Sequence, residues 1–483
     1  MHSLAALTRN TQLTFLAAFR RDFPHAEIFV VGGIVRDALI GRSSKDYDLV
    51  IRNVPAKKLH AWLQRHGHVD LVGRSFGVFK FLPKGNTLTE PIDIALPRTE
   101  HAWGTGGYRD VEIQSNPILP IEDDLARRDF TINALAYDVI TKTLIDPYNG
   151  QPDIQKKIIR TVGAPSKRFG EDYSRLLRGL RFSAQLGFTI EPKTWRALKT
   201  SMRHINKKLN GEYVVPRETI ASEMKKTFVS IPAIAFDLYD QSGAIKELMP
   251  ELLPMKRCPQ PKQFHSEGDV WKHTRLCLSN LMAPAFSKKF PGTPLTAELV
   301  FAVLWHDIGK PATLKRSDRL RFNNHDIVGA RMARAIMDRL RLSSAGVNTA
   351  HIEWLISRHM IVASTKYSPM KKTTIEKYFY HEQNPGEQLR KLSYVDILST
   401  LAARTGKPNL TDYRALERQI MSIKPRRGNR LAPDLLSGND IMRALHLRPG
   451  PRIGKIKSKL REAQLRGTIK TKSQARAYLT KLS

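Results

Sequence analysis

Apolar and polar positions along this chain of 483 residues switch between two periods. Glu27 to Val31 is a β-branched and aromatic run that ends at Gly32-Gly33. Helical spacing follows from Ile34 to Ile40 and is closed by Gly41. From Asp46 to Ile51 the period returns to two. Leu49 and Ile51 share the parity of Tyr47, which predicts a strand whose other face carries Asp46 and Asp48. Upstream, residues 10–24 set Leu13, Leu16, Ala17 and Phe19 partly on one side of a helix. Downstream, Pro55 to His66 reads as a helix with Pro at its start and Gly67 at its end. Val69–Val72, Phe76–Leu82 and Ile92–Leu96 read as strands. The expectation is an α+β N-terminal part, a small mixed sheet with helices on one side. The stretch from Pro97 to Pro120 carries Arg98, Gly104, Gly106, Gly107 and Arg109 with little periodicity, and reads as a long functional or mobile loop.

The rest of the chain is predicted to be mainly α-helical. Ser166 is placed to cap a helix running to about Leu186, with Leu176, Leu177, Leu180 and Ala184 as its apolar stripe. On the other side Asp172, Arg175, Arg178 and Arg181 recur every three residues, so the arginines fan across the polar face. Glu122 to Tyr137 reads as an acidic helix start followed by Arg127, Arg128 and a helix-compatible apolar run. Short helices fill residues 190–255, and helical patterns such as Ile456 to Leu465 continue to the end. The expected division is 1–150, 151–255, 256–424 and 425–483.

The residue types narrow the chemistry. Glycines at 32 and 33 let a backbone approach phosphate oxygens, and two carboxylates projecting the same way from a neighbouring strand form a platform for Mg²⁺. Asp93, between Ile92 and Ile94, reads equally as a third carboxylate that binds metal or takes a proton and as an exposed polar position of an alternating strand. A carboxylate beside a guanidinium, as at Asp172 and Arg175, offers both acceptors and rigid donors to a base edge. Further on, His273, His306-Asp307, His325, His359 and Asp396 are imidazoles and carboxylates suited to a divalent transition metal.

Composition adds a partner. Lys and Arg number 79 against 45 acidic residues, a net charge of +34, which implies a polyanion bound through phosphate contacts. Residues 425–483 alone carry 15 Lys and Arg against three acidic residues, punctuated by Gly438, Gly454 and Gly467, and suggest a small helical RNA-binding module. There is no apolar run of membrane-spanning length and no secretory pattern at Met1 to Asn10. With only Cys258 and Cys277 no disulfide framework and no cysteine-based zinc site are expected, and a reducing cytoplasm fits. Mean hydropathy is −0.36, ordinary for a globular chain.

Two strings carry a resemblance. Val30-Val-Gly-Gly-Ile-Val-Arg-Asp-Ala-Leu-Ile-Gly41 with Asp46-Tyr-Asp48 resembles the head of the class II tRNA nucleotidyltransferase and bacterial poly(A) polymerase family, within the polymerase-β-like superfamily. Arg127-Arg-Asp-Phe-Thr-Ile-Asn133 and Glu171-Asp-x-x-Arg175 match further motifs of that family, with Tyr173 where its members usually have Pro. The resemblance implies a nucleotidyltransferase head (1–150), a neck (151–255), and partners tRNA, CTP and ATP. It implies that Asp46 and Asp48 hold Mg²⁺, that Gly32, Gly33 and Arg36 lie near the triphosphate, and that Arg128 and Asp129 distinguish the sugar. It also implies that Asp172 and Arg175 pair with the base, that Arg178 and Arg181 bind phosphate, and that a flexible loop needed for adding the final A falls at Pro97–Pro120.

The ordered set His273, His306, Asp307 and Asp396 resembles the HD phosphohydrolase superfamily, and His325 and His359 resemble its two-metal variant. Together these imply CCA addition to tRNA with an accessory HD activity. Poly(A) polymerase and CC-only addition are sibling alternatives. Gly73-Arg-Ser-Phe-Gly-Val-Phe79 is closer to the CCA-adding pattern than to the basic run of poly(A) polymerases. An HD-containing nucleotide-signalling enzyme is the alternative from another class; its usual domain order is the reverse. A catalytically silent RNA-binding protein is what the charge alone would permit, and the intact Asp pair argues against it.

Overall fold

A computed structural model describes residues 4, 7, 13–44, 46–72, 78–85, 91–107, 111–362, 369–423 and 431–482. Residues 73–77 of the Gly73–Phe79 run, Arg109, part of the 10–24 helix and the first residues of the basic tail lie outside them. The chain divides into two compact units, Met1–Leu248 and Met249–Ser483.

The first unit is built on a seven-stranded mixed sheet. Its strands are β1 (Glu27–Val31), β2 (Asp48–Arg52), β3 (Gly67–Val72), β4 (Val78–Pro83), β5 (Ile92–Ala95), β8 (Ala136–Asp138) and β9 (Leu144–Ile145). They lie in the order β3-β4-β5-β2-β1-β8-β9. Only β2 and β5 run parallel; the other neighbours are antiparallel. Register explains the two faces. Val30 pairs with Leu49, Leu49 with Ile94 and Ile94 with Phe79, so these buried side chains share one face. Helices Phe15–Asp22 and Ala56–His66 belong to that side, where the Trp62 ring meets Phe19 edge-on with centroids 4.9 Å apart and its indole N–H donates to Asp22 Oδ2 at 2.7 Å. The far face is only half polar. Phe29, Val31, Val50 and Ala136 pack there with Ile121 and Leu125 of helix Ile121–Ala126. Beside that patch the same parity places Asp48, Asp93 and Lys80 side by side on β2, β5 and β4.

Three segments differ from the sequence expectation. Pro97–Pro120 is not a plain loop: Arg98–Ala102 (β6) and Val111–Ser115 (β7) form an antiparallel ribbon outside the main sheet. The helix expected through Tyr137 stops at Ala126, because the following backbone turns to residues 160–162. There Thr131 N donates to Arg160 O and Val162 N donates to Asp129 O. The expected helix from Ser166 to Leu186 is two helices, Pro165–Glu171 and Ser174–Leu186. Asp172 between them is extended, and Tyr173 N donates to Gly106 O at 2.9 Å instead of continuing the ladder.

Among its described residues the second unit is helical apart from a two-residue strand pair, Lys315–Arg316 with Leu320–Arg321. Helices Val270–Asn280, Ala297–Trp305, His325–Arg339, Thr349–Ile356 and Gly386–Ser399 surround a core that includes Phe301, Leu304 and Leu389. Helices Gly438–Leu445, Pro451–Arg466 and Lys472–Leu479 close on a separate core of Ile441, Ile456, Leu460 and Leu479, so the described part of the basic tail is folded. Among the described residues no helix is long and apolar enough to cross a membrane.

Candidate functional site

In the first unit one cleft is lined by Gly32, Gly33, Arg36, Asp46, Asp48, Arg128, Asp129, Asp172, Arg175, Arg178 and Arg181. The residues singled out from four separate strings thus meet, except Asp93, which lies next to Asp48 in register and gives its carboxylate to Lys80 Nζ at 2.9 Å.

Backbone geometry makes the Gly-Gly turn possible. Gly32 has φ +76, and a Cβ there would lie 2.7 Å from Arg128 Nη1. The positive φ favours glycine, and a side chain there would also have to displace the end of Arg128. Asp48 opens β2 and Asp46 precedes it, so the strand begins two residues later than expected and Asp46 stands just outside it. The protein packed around Asp48, together with the like charges of Asp93 and Asp46, pushes its carboxyl up to about 6 against the pull of Arg128. Crowded carboxylates of this kind fit a hard divalent cation, which relieves the repulsion.

The arginines are held. Arg36 donates to Asn133 Oδ1 at 2.7 Å and to Asp37 Oδ1 at 2.8 and 2.9 Å. Arg178 donates through Nε to Asp129 Oδ2 at 2.7 Å, and Arg181 through Nε to Glu223 Oε2 at 2.7 Å. All three guanidiniums lie on the Phe182 ring, 4.1–5.4 Å from its centroid. Asp129 is buried, and the positive charges of Arg178 and Arg175 overcome that burial and hold its carboxyl down at about 2. Asp172 and Arg175 are not a close pair: Oδ2 and Nε are 3.9 Å apart. Arg175 donates to Glu171 Oε2 at 2.8 Å and to the Arg127 carbonyl at 3.2 Å, while Asp172 Oδ1 accepts from Ser174 N at 2.8 Å. Phe182, Glu223 and Asn133 were not singled out from the sequence. Asn133 and Phe182 stand inside or at the end of the quoted motifs, whereas nothing local marks Glu223.

The second unit gathers the other set. His273 Nε2 is 3.1 Å from Asp396 Oδ1 and His306 Nε2 is 3.3 Å from Asp307 Oδ2. The other oxygen, Asp307 Oδ1, is 3.5 Å from His325 Nε2 and 3.6 Å from His359 Nε2. One carboxylate therefore faces two groups of imidazoles. The tautomers follow from their backs. His306, His325 and His359 each set Nδ1 against a carbonyl three residues earlier, Val303, Phe322 and Ile356, at 2.7–2.8 Å. A carbonyl only accepts, so Nδ1 carries the proton and the Nε2 lone pairs point inward. His325 Nε2 and His359 Nε2 are 3.2 Å apart, a separation that a shared cation or proton relieves. Burial depresses His325 to about 4. Despite burial, His306 and Lys310 keep Asp307 well below the usual carboxylate range. These donors fit one or two divalent transition ions.

Supporting residues were not read from the sequence. Glu267 Oε1 accepts from His265 Nδ1 and His273 Nδ1 at 2.7 and 2.9 Å, and Lys310 Nζ bridges Asp307 Oδ2 and Gln260 Oε1 at 2.6 and 2.8 Å. Gly309 is a close approach: a Cβ there would lie 2.2 Å from the His325 carbonyl oxygen.

Sequence comparison matches residues 28–160 to the Poly A polymerase head domain and residues 278–403 to the HD domain. His273 falls just before the second match. The fold and the two sites define a nucleotidyltransferase of the poly(A) polymerase-head class joined to an HD domain. The chain is 36% identical over 321 residues to the multifunctional CCA protein of Stenotrophomonas maltophilia strain K279a, covering 65% of this chain and 72% of that protein. It is 36% identical over 292 residues to that of Xanthomonas oryzae pv. oryzae, covering 59% and 64%. The chain belongs to the multifunctional CCA protein family. Its fold is also that of the Bacillus stearothermophilus CCA-adding enzyme solved with CTP, with a TM-score of 0.63, 20% identity and 97% of each chain covered. The Thermotoga maritima CCA-adding enzyme solved with tRNA gives 0.56, 19% identity and 99% and 98% coverage.

Proposed function

We propose that the first unit adds or repairs the 3′-terminal CCA of tRNA, using CTP and ATP and releasing pyrophosphate. The observation that carries this is the single cleft in which Asp46 and Asp48, the Gly32-Gly33 turn and the arginines of helix Ser174–Leu186 face one another. Relatives bearing the CCA name and solved neighbours described with CTP, ATP and tRNA support the reading.

In this scheme the RNA 3′-oxygen bonds to the α-phosphorus, the bond from that phosphorus to the β-phosphate bridge breaks, and the hydroxyl proton passes to the Asp93 carboxylate, beside the metal-holding Asp46 and Asp48. Asp46 and Asp48 would hold Mg²⁺, which would supply charge neutralisation to the phosphates. Gly32 and Gly33 admit the triphosphate, and Arg36, Arg178 and Arg181, fixed on Phe182, present donors to its oxygens. Arg128 and Asp129 lie toward the sugar. Asp172 and Arg175 meet the base from positions 3.9 Å apart, Arg175 held by Glu171 and the Arg127 carbonyl and Asp172 by Ser174 N. The fully committed Asp129 acts by holding Arg178 still. Positioning and electrostatics are then the main contributions of the chain, as phosphoryl chemistry requires.

The second unit is proposed as a metal-dependent phosphohydrolase. His273, His306, Asp307 and Asp396 would hold one ion, and Asp307, His325 and His359 would hold a second; the clustering of His273, His306 and Asp396, and of Asp307, His325 and His359, supports this. A bound ion there supplies an activated water and polarises a phosphoryl oxygen. The test is Asp48→Asn: it abolishes incorporation of labelled CMP into tRNA lacking CCA while tRNA binding is unchanged. Undiminished incorporation contradicts the assignment.

A further inference from the structure

One residue beside the histidines of the second unit has no part in the account above. Cys277 follows His273 by one turn of helix Val270–Asn280, so both side chains leave the same face. Its thiol is fully buried and its Sγ lies 3.5 Å from His273 Nε2. Sγ, one nitrogen each of His273 and His306, and one oxygen of Asp396 all lie within 4.8 Å of one another.

A second observation comes from His306. The residue is wholly buried, its Nδ1 is committed to the Val303 carbonyl at 2.8 Å, and its Nε2 makes no hydrogen bond, although Asp307 Oδ2 lies 3.3 Å away. A buried polar atom without a partner is costly. Here the atom is a lone pair aimed into a cluster of other lone pairs, which is what a cation binds.

We infer that Cys277 is a further ligand of the metal ion held by His273, His306 and Asp396, making that half of the site a nitrogen, oxygen and sulfur set. The inference rests on reading the cluster as a metal site. In a tetrahedral site, bonds of ~2.3 Å to sulfur and ~2.0 Å to an imidazole separate the two ligand atoms by ~3.5 Å. The observed separation of Cys277 and His273 is 3.5 Å, so no rearrangement of the helix is needed. Ligation replaces the thiol proton with the metal and releases that proton to solvent. A thiolate beside two imidazoles favours thiophilic ions such as Zn²⁺, Fe²⁺ and Co²⁺ over Mg²⁺ and Mn²⁺, which prefer oxygen. The two metal requirements of the chain then differ: a hard ion for the carboxylates of the first unit and a softer one here.

The chain has two cysteines, which makes the test clean. The full-length protein is stripped of metal and titrated with Co²⁺ as wild type, Cys258→Ser and Cys277→Ser, and the visible and near-ultraviolet spectra are followed. The expected result is a thiolate-to-cobalt charge-transfer band in the wild type and in Cys258→Ser, and its loss in Cys277→Ser, which keeps the weaker visible bands of bound cobalt. The band in Cys258→Ser assigns the sulfur whether or not Cys277→Ser folds. Bound cobalt with no charge-transfer band, or a band that survives Cys277→Ser, overturns the role of Cys277 and leaves the metal site standing. Failure of the wild type to bind cobalt overturns the site itself.

Discussion

Asp129 and Arg178, 49 positions apart, are joined by two short contacts, Nε to Oδ2 at 2.7 Å and Nη2 to Oδ2 at 2.6 Å. The pair ties the backbone after helix Ile121–Ala126 to the middle of helix Ser174–Leu186, and so fixes one wall of the nucleotide cleft to the other.

That link has a pH signature. The folded carboxyl of Asp129 lies at about 2 against 3.8 for the free group, so its contribution is present above the unfolded value and disappears as pH falls through the folded one. Asp129→Asn is expected to cost up to ~2 kcal/mol near pH 7, less to the extent that solvent reaches Arg178. Denaturant unfolding of the two proteins is expected to show a constant gap above pH 5 that closes toward pH 2. A gap that widens on acidification contradicts the assignment.

The ribbon of β6 and β7 is anchored where helix Ser174–Leu186 begins. Gly106 has φ +87, and a Cβ there would lie 2.0 Å from the Tyr173 ring, which stacks on His204 with centroids 5.2 Å apart. Gly106→Ala is expected to destabilise by ~1–3 kcal/mol through overpacking and backbone strain. In a double-mutant cycle, Tyr173→Ala relieves the overpacking part but not the strain. Thermal unfolding measures both, and simple additivity of the two substitutions argues against the contact.

Gly309 offers a way to separate the two activities. A side chain there collides with the backbone of helix His325–Arg339, which carries one of the four histidines. Gly309→Ala is expected to weaken binding of transition metal by at least ~10-fold, as displaced supporting shells do. Nucleotide addition is retained, because its residues lie in the first unit. Metal analysis beside an extension assay reads both outcomes.

Metal removal makes the same distinction from the other side. After chelation, Mg²⁺ alone is expected to restore tRNA extension, whose carboxylate ligands are hard, and to leave phosphatase activity unrestored. Zn²⁺ or Co²⁺ is expected to restore the second activity.

Much of this arrangement is legible in the chain before any coordinate. The Gly32-Gly33 turn, the strand that Asp48 opens and the helix from Pro55 to His66 rest on local rules of backbone and period, and each lies within a residue or two of its expected place. What escaped reading depends on contacts distant in sequence. The β6–β7 ribbon lies outside the main sheet and has no apolar alternation to announce it. Helix breaks at Arg127 and Asp172 arise because residues 160–162 and Gly106 compete for the backbone hydrogen bonds. Glu223 and Gln260 meet their partners 42 and 50 positions away, beyond any periodic pattern. Cys277 stands one helical turn from His273, but two cysteines alone give no cysteine-based site pattern, so it was passed over in the sequence.

The central claim, ordered addition guided by the protein cleft, is tested most directly by sequencing the products formed on three tRNA transcripts that end before CCA, after C and after CC. Each is supplied with CTP, ATP or both. The account predicts growth that stops at CCA on all three and needs ATP only for the last residue. A long A tail from ATP alone, or products that end at CC with both nucleotides present, would contradict it.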